Sequence, residues 1–271
     1  MPWETKLCSF VHDMSTQVHE QRDRKYFGSP MVRGVRLCSR TIGGVLLLCL
    51  LSLVYTPLAH AQSELTLSGW IPYWRDTQGI KDATKHLEHI DTLYPFSYTV
   101  LRDGSIKDNA NMEAKEWRTL RKKSRAEGVE VIPTIMTSDG ALIHNILAYD
   151  DSRKKHIDAI VSLVTDGAYD GVDIDYEGKL ALTRDAFSLF LTELKQALGK
   201  KKILSCTIEA RTPPESLYRE VPSTINYVHD YAVIGRVCDR IVIMAYDQQR
   251  ADIQANDARK GQPYIPVADP L

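Results

Sequence analysis

Residues 169–177 read Y-D-G-V-D-I-D-Y-E. After Gly171 the chain alternates. Side chains on a strand have a period of two, so Val172, Ile174 and Tyr176 share one face and Asp173, Asp175 and Glu177 the other. One face is apolar; the other carries carboxylates in a row. Like charges so close raise one another's pKa, and burial raises it further. Upstream, Ile157, Ile160, Val161 and Val164 recur at helical spacing over 151–165; downstream, Phe187, Phe190, Leu191, Leu194 and Leu198 do so over 183–198. A strand between two helices belongs in a parallel sheet, whose strands are covered. Acid groups on a covered strand point to a functional site rather than to a solvated edge. Asp173, Asp175, Glu177 and Gly178 also imitate the opening of a calcium loop. That loop needs Glu at its twelfth position, where this chain has Arg184, so the calcium reading is rejected.

Working outward, a strand is expected over 65–73, ending in the aromatics Trp70, Tyr73 and Trp74. A short helix over 82–89 follows, with Leu87 facing inward and His86 and His89 in surface or packing roles. A second strand over 90–100 contains Tyr98 and also Pro95, which argues against a regular central strand. After the Asp103-Gly104 turn comes a helix over 112–127, whose Arg118, Arg121, Lys122, Lys123 and Arg125 are read as a solvated outer face. Further strands are expected over 129–136, 203–209 and 240–247, with helix or helix plus loop over 225–237. Six strands thus alternate with helices. This predicts βα units and an α/β fold with a parallel sheet, open or closed as a barrel. The glycine-rich turn of a dinucleotide-binding fold is absent after the first strand. The carboxylates end the fourth strand, where barrel enzymes place catalytic groups.

The chain has 271 residues and a formal net charge of −1, which makes no electrostatic claim on nucleic acid. Residues 1–61 are read as an N-terminal extension and secretory signal peptide. Arg33, Arg36 and Arg40 precede an apolar run over 42–55, and Ala59-His60-Ala61 gives a small-x-small cleavage pattern, with cleavage after Ala61. The run falls short of the ~20 residues of a spanning helix, and an uncleaved anchor is the alternative reading. No Cys follows the cleavage pattern, so no lipid anchor is expected. Met31 begins a leader of ordinary size and is read as the translation start. Residues 62–271 form the expected catalytic domain. Cys8, Cys38 and Cys49 leave with the leader; Cys206 and Cys238 remain, and are expected as buried free thiols rather than a bridge. No Cys/His metal spacing occurs, so no metal and no cofactor are expected.

The pattern D-G-x-D-x-D-x-E, with Asp170, Asp173, Asp175 and Glu177 at its acidic positions, resembles the signature of family 18 glycoside hydrolases, the chitinase family. Met244-Ala245-Tyr246-Asp247 resembles that family's M-x-Y-D, two βα units later. The resemblance implies a TIM (β/α)8-type barrel and a substrate-assisted retaining mechanism. Carboxylates at i and i+2 on one strand face sit roughly 6.5–7 Å apart, a spacing that alone selects no mechanism. Carried over by position, Glu177 is the general acid and then the base. Asp175 holds the substrate acetamido group, Asp173 shares a proton with Asp175, and Tyr246 donates to the acetamido oxygen. Asp247 binds sugar and Met244 packs beneath it. Trp70, Tyr73, Tyr98 and Glu209 are candidate substrate contacts, Arg211 beside Glu209 at the end of the fifth strand is a further candidate, and Asp170 is read as structural. The implied partners are chitin, N-acetylglucosamine oligosaccharides or peptidoglycan.

The family's barrel takes ~250 residues, whereas the stretch from Gln62 offers about six βα units, so an incomplete barrel of low stability is expected. The tryptophan that the family carries on strand eight has no counterpart, and a glycine-rich third strand is not evident. The competing readings are a non-catalytic chitinase-like lectin and an inactive fragment. Relatives of the lectin kind commonly lose the acid glutamate, which is present here as Glu177.

Overall fold

In a computed structural model of the chain, residues 65–211, 213–246, 257, 258 and 260 are described. The expected leader lies outside them, as does Asp247. The elements run β1 (Ser68–Pro72), α1 (Asp76–Lys85), β2 (Thr92–Val100), β3 (Ile106–Asp108), α2 (Lys115–Glu127), β4 (Glu130–Val131) and β5 (Thr134–Thr137). They continue with α3 (Gly140–Leu147), α4 (Asp150–Asp166), β6 (Gly171–Tyr176), α5 (Arg184–Leu198), β7 (Ile203–Glu209), α6 (Pro214–Leu217), α7 (Tyr231–Val237) and β8 (Arg240–Met244). The sheet order is β1-β2-β5-β6-β7-β8, with β3 and β4 also pairing β2. Every pairing is parallel except β2 with β3. This is an incomplete TIM-type barrel: a parallel sheet curled into a half-barrel, with helices packed outside.

The curl is visible in one side chain. Arg240 opens β8, yet its Nη1 donates to Thr92 Oγ1 at 2.9 Å and its Nη2 pairs with Glu130 Oε2. Thr92 opens β2, and β5, β6 and β7 intervene. Strands are spaced about 4.8 Å apart, so in a flat sheet these groups would stand roughly 19 Å apart, far beyond one arginine. The side chain crosses the interior of a curved sheet.

The apolar face of the acidic strand packs outward. Val172, Ile174 and Tyr176 are buried against Phe187 and Phe190, which the helical spacing of α5 turns toward the sheet. Tyr176 stacks on Phe190 with centroids 5.8 Å apart, and His156 of α4 stacks on the same ring at 5.7 Å. His156 Nε2 also bonds the Tyr176 hydroxyl, and its Nδ1 bonds the Gly104 carbonyl. The acidic strand is thus anchored from behind to α4 and to the turn after β2.

Several expectations need correction. Pro95 lies inside β2, a strand with neighbours on both sides. Its missing N–H falls at the interruption between β4 and β5, so no ladder bond is lost to a continuous partner. The strand expected over 129–136 is therefore two pieces. The helix expected over 82–89 is α1 followed by a 3-10 turn at Leu87–His89. Arg121 does not lie on a solvated face: its Nη1 donates to the Met112 carbonyl and to the Tyr169 hydroxyl. Cys206 and Cys238 are not free thiols but form a disulfide. Cys206 faces outward on β7, and the bend between α7 and β8 returns Cys238 to a Cα–Cα distance of 6.1 Å, within bridging range.

Candidate active site

β6 can start where it does because residue 171 is glycine: a Cβ there would lie 2.1 Å from the Ile203 carbonyl oxygen of β7. Close approach of β7 brings hydroxyls to the acidic face. Asp173 is fully buried; Thr207 Oγ1 donates to both its oxygens and Thr134 Oγ1 to Oδ2, all at 2.9 Å. Those threonines come from the strands on either side. Burial pushes the Asp173 carboxyl up, and the hydroxyls offset only part of that.

Asp175, one layer nearer the C-terminal mouth, is 3% exposed. Its Oδ1 has no hydrogen-bond partner among the described residues. Burial first, then the charges of Glu177, Asp173 and Glu209, push it up to about 7, against the pull of Lys179. Glu177 is half-buried, and its N–H donates to the Thr137 carbonyl at 2.9 Å. Burial and Glu209 raise its carboxyl; Lys179 opposes them. The inward face of β6 is thus a column of carboxylates that hold protons more tightly than free ones, as an acid–base site requires.

Glu209 behaves in the opposite way. Its Oε1 accepts the Gly178 N–H at 3.0 Å, and its Oε2 lies 3.3 Å from Lys179 Nζ and 3.2 Å from His229 Nε2. Burial pushes this carboxyl up, but His229, Lys179 and the Gly178 N–H outweigh it and hold it at about 2. Both oxygens are engaged by the protein, so Glu209 is placed as an internal anchor rather than as the sugar contact expected from sequence. Lys179 is buried, donates to the Tyr176 carbonyl and lies 5.0 Å over the Phe187 ring.

The remaining sequence candidates divide. Met244 is half-buried and in register with Glu209; Tyr246 is 48% exposed at the end of β8. Trp70 and Tyr73 are part-exposed in an aromatic group at the C-terminal end of β1. Trp70 meets Tyr94 at 5.8 Å, and Trp74 bridges Tyr73 at 5.0 Å and Phe96 at 5.7 Å. Tyr98 is not at the site. It is 8% exposed in the outer core, its hydroxyl 2.9 Å from that of Tyr169. A bulge between Phe96 and Tyr98 adds a residue to the strand and turns Tyr98 to the other face. Arg211 lies with its guanidinium 4.1 Å over the Tyr227 ring. Asp170 accepts the Val131 N–H at 2.8 Å, a structural bond at the foot of the strand. Sequence reading missed Thr134, Thr207, Lys179 and His229. For Lys179 a signal existed, a lone cation two residues beyond Glu177; Thr134 and Thr207 required the strand register, and His229, in the segment before α7, required the tertiary fold. Among the described residues, no group of three or more His, Cys, Asp or Glu is placed to hold a metal ion.

Comparison with known proteins agrees with this architecture. Residues 67–261 match Glycosyl hydrolases family 18. The uncharacterized glycosylase YvbX of Bacillus subtilis strain 168 is 25% identical over 177 residues, 64% of this chain and 49% of that protein. The chain spans about half or less of the length of the curated relatives it matches. The spore cortex-lytic enzyme SleL of Bacillus cereus has a similar fold (TM-score 0.56, 20% identity, 68% of this chain and 41% of that one). A class V chitinase from Pseudomonas fluorescens Pf-5 is similar to the same degree (TM-score 0.56, 20% identity, 68% and 54%).

Proposed function

The chain belongs to family 18 of the glycosyl hydrolases, and from that premise we propose that it is an exported hydrolase of β-1,4-linked N-acetylglucosamine, in chitin or peptidoglycan. The observation that carries the reading is the column Asp173, Asp175 and Glu177, three carboxyls with raised proton affinity on the inward face of β6 at the mouth of the half-barrel. SleL is named for cortex lysis and the Pseudomonas protein as a chitinase, so both polymers stay within the proposal.

Glu177 protonates the glycosidic oxygen as the C–O bond breaks, and the substrate's acetamido oxygen closes on the anomeric carbon to form an oxazolinium ion. Asp175, rotated toward the sugar, accepts the acetamido N–H and balances the positive charge. Asp173 beneath it takes up the proton balance of the pair. Water then opens the ring, giving its proton to Glu177, so the anomeric configuration is retained and no protein nucleophile is needed. Tyr246, at the end of β8, donates to the acetamido oxygen, and Asp247 and Met244 contact the sugar. Trp70 and Tyr73 offer ring faces on which sugar C–H groups stack.

The test is release of fluorophore from an N,N'-diacetylchitobioside by the full chain, compared with Glu177→Gln. Loss of a general acid is expected to lower turnover roughly 10²–10⁴-fold. Undiminished turnover in Glu177→Gln, or binding of chitooligosaccharide with no turnover by the parent chain, would remove the proposal; the second result would favour a lectin. Export through the leader predicts a mature N-terminus at Gln62, which N-terminal sequencing of the protein recovered from outside the cytoplasm reads directly.

A further inference from the structure

The peptide around Glu177 is held at three successive points. The Glu177 N–H donates to the Thr137 carbonyl on β5. The carbonyl before it, of Tyr176, accepts from Lys179 Nζ. The N–H after it, of Gly178, donates to Glu209 Oε1 on β7. Gly178 takes φ +62, a left-handed turn that brings Lys179 back beneath the strand it has just left. The Lys179 side chain is 1% exposed, and the His229 side chain beyond Glu209 is 4% exposed. A buried ammonium is expensive unless paired, and the pairing here closes a ring: Tyr176 carbonyl, Lys179, Glu209, Gly178 N–H. Glu177 is the residue that this ring encloses.

We propose that Lys179 and Glu209, backed by His229, are positioning residues that clamp the backbone on both sides of Glu177 and set the charge it faces. The proposal rests on the glycosidase reading above and deepens it. The geometry gives the clamp two separable effects. One is aim: a carboxyl displaced by about an ångström from the glycosidic oxygen can lose on the order of 10²-fold in rate. The other is proton affinity. Glu177 faces Asp175 and Asp173 on its own strand, Glu209 from β7, Lys179 from the following loop and, behind Glu209, His229 from the segment before α7. Glu209 raises the proton affinity of both Glu177 and Asp175, and Lys179 lowers both. The pair therefore acts as two opposed weights on the same acid.

The decisive experiment compares kcat and KM across pH for the full chain, Glu209→Gln, Lys179→Gln and Glu177→Gln on the fluorogenic chitobioside. It is run beside a ¹³C-carboxyl NMR titration in which the Glu177 resonance is assigned by its absence from Glu177→Gln. Glutamine at 209 keeps the volume and the acceptor for Gly178, so it removes charge without removing the bond, and it remains informative if Lys179→Gln fails to fold. The expected result is a kcat loss of about 10–100-fold with little change in KM. The alkaline limb and the Glu177 midpoint move to lower pH in Glu209→Gln and to higher pH in Lys179→Gln. A purely structural role would lower activity without moving the limb. Unmoved midpoints, or midpoints moving the same way in both variants, overturn the clamp. Full turnover by Glu177→Gln overturns the glycosidase reading instead, because the NMR midpoint of residue 177 still reports on the clamp.

Discussion

Asp175 and Glu209 stand on adjacent strands of the same curled sheet, face the same interior, and carry the same functional group. One is pushed up to about 7 and the other held at about 2. Burial raises both. The difference lies in the neighbours: Glu209 accepts the Gly178 N–H and has Lys179 Nζ and His229 Nε2 within 3.3 Å of Oε2, while Asp175 keeps an oxygen without a partner among the described residues and sits beside two other carboxylates. Depth in the fold thus does not assign a carboxylate its role; the inventory of donors around it does. The satisfied one holds the structure, and the unsatisfied one keeps an unused acceptor.

The contrast can be broken from the Glu209 side most violently. Glu209→Leu leaves the buried Lys179 ammonium without its carboxylate and should cost about 3–5 kcal/mol, read as a fall in the urea midpoint at constant slope. Asp175→Asn should act the other way. Its folded pKa is raised from 3.8 to about 7, so the native state binds the extra proton between those values. That stabilisation is complete at low pH and lost as pH climbs through about 7. Relative to the parent, Asp175→Asn should gain about 1–3 kcal/mol at pH 8 and almost nothing at pH 4, a difference that melting at the two pH values measures. Glu209 has the opposite sign: its contribution is present above its ordinary value of 4.5 and lost as pH falls toward 2, so acid unfolding of Glu209→Gln should be less steep than that of the parent. The smallest effect is behind the strand. Tyr176→Phe deletes the hydroxyl that bonds buried His156 and should cost about 1–2 kcal/mol while leaving the carboxylate column in place.

Much of this was legible in the chain itself. Alternation over 171–177 placed the acids on one face, and the helical stripes of α4 and α5 required that the strand be covered. What was hidden depended on register. Period-two reasoning runs straight through Ser97, whereas the strand inserts a bulge there, and Tyr98 lands in the outer core. Glu209 ends its strand in the position of a ligand, and only the fold back from Gly178 shows that its oxygens are already used. The disulfide was equally invisible: a spacing of 32 residues says nothing about the bend that returns Cys238 to β7.

Arg240 adds a mechanical consequence. By tying the foot of β8 to Thr92 and Glu130 it fixes the chord of the arc at the N-terminal end. A curved plate held at one rim carries that curvature toward the other. The opposite rim is where β8 delivers Met244 and Tyr246, so the span of the cleft there depends in part on a guanidinium at the other end of the strands. Arg240→Leu should accordingly speed amide hydrogen exchange along β8 before it disturbs β6.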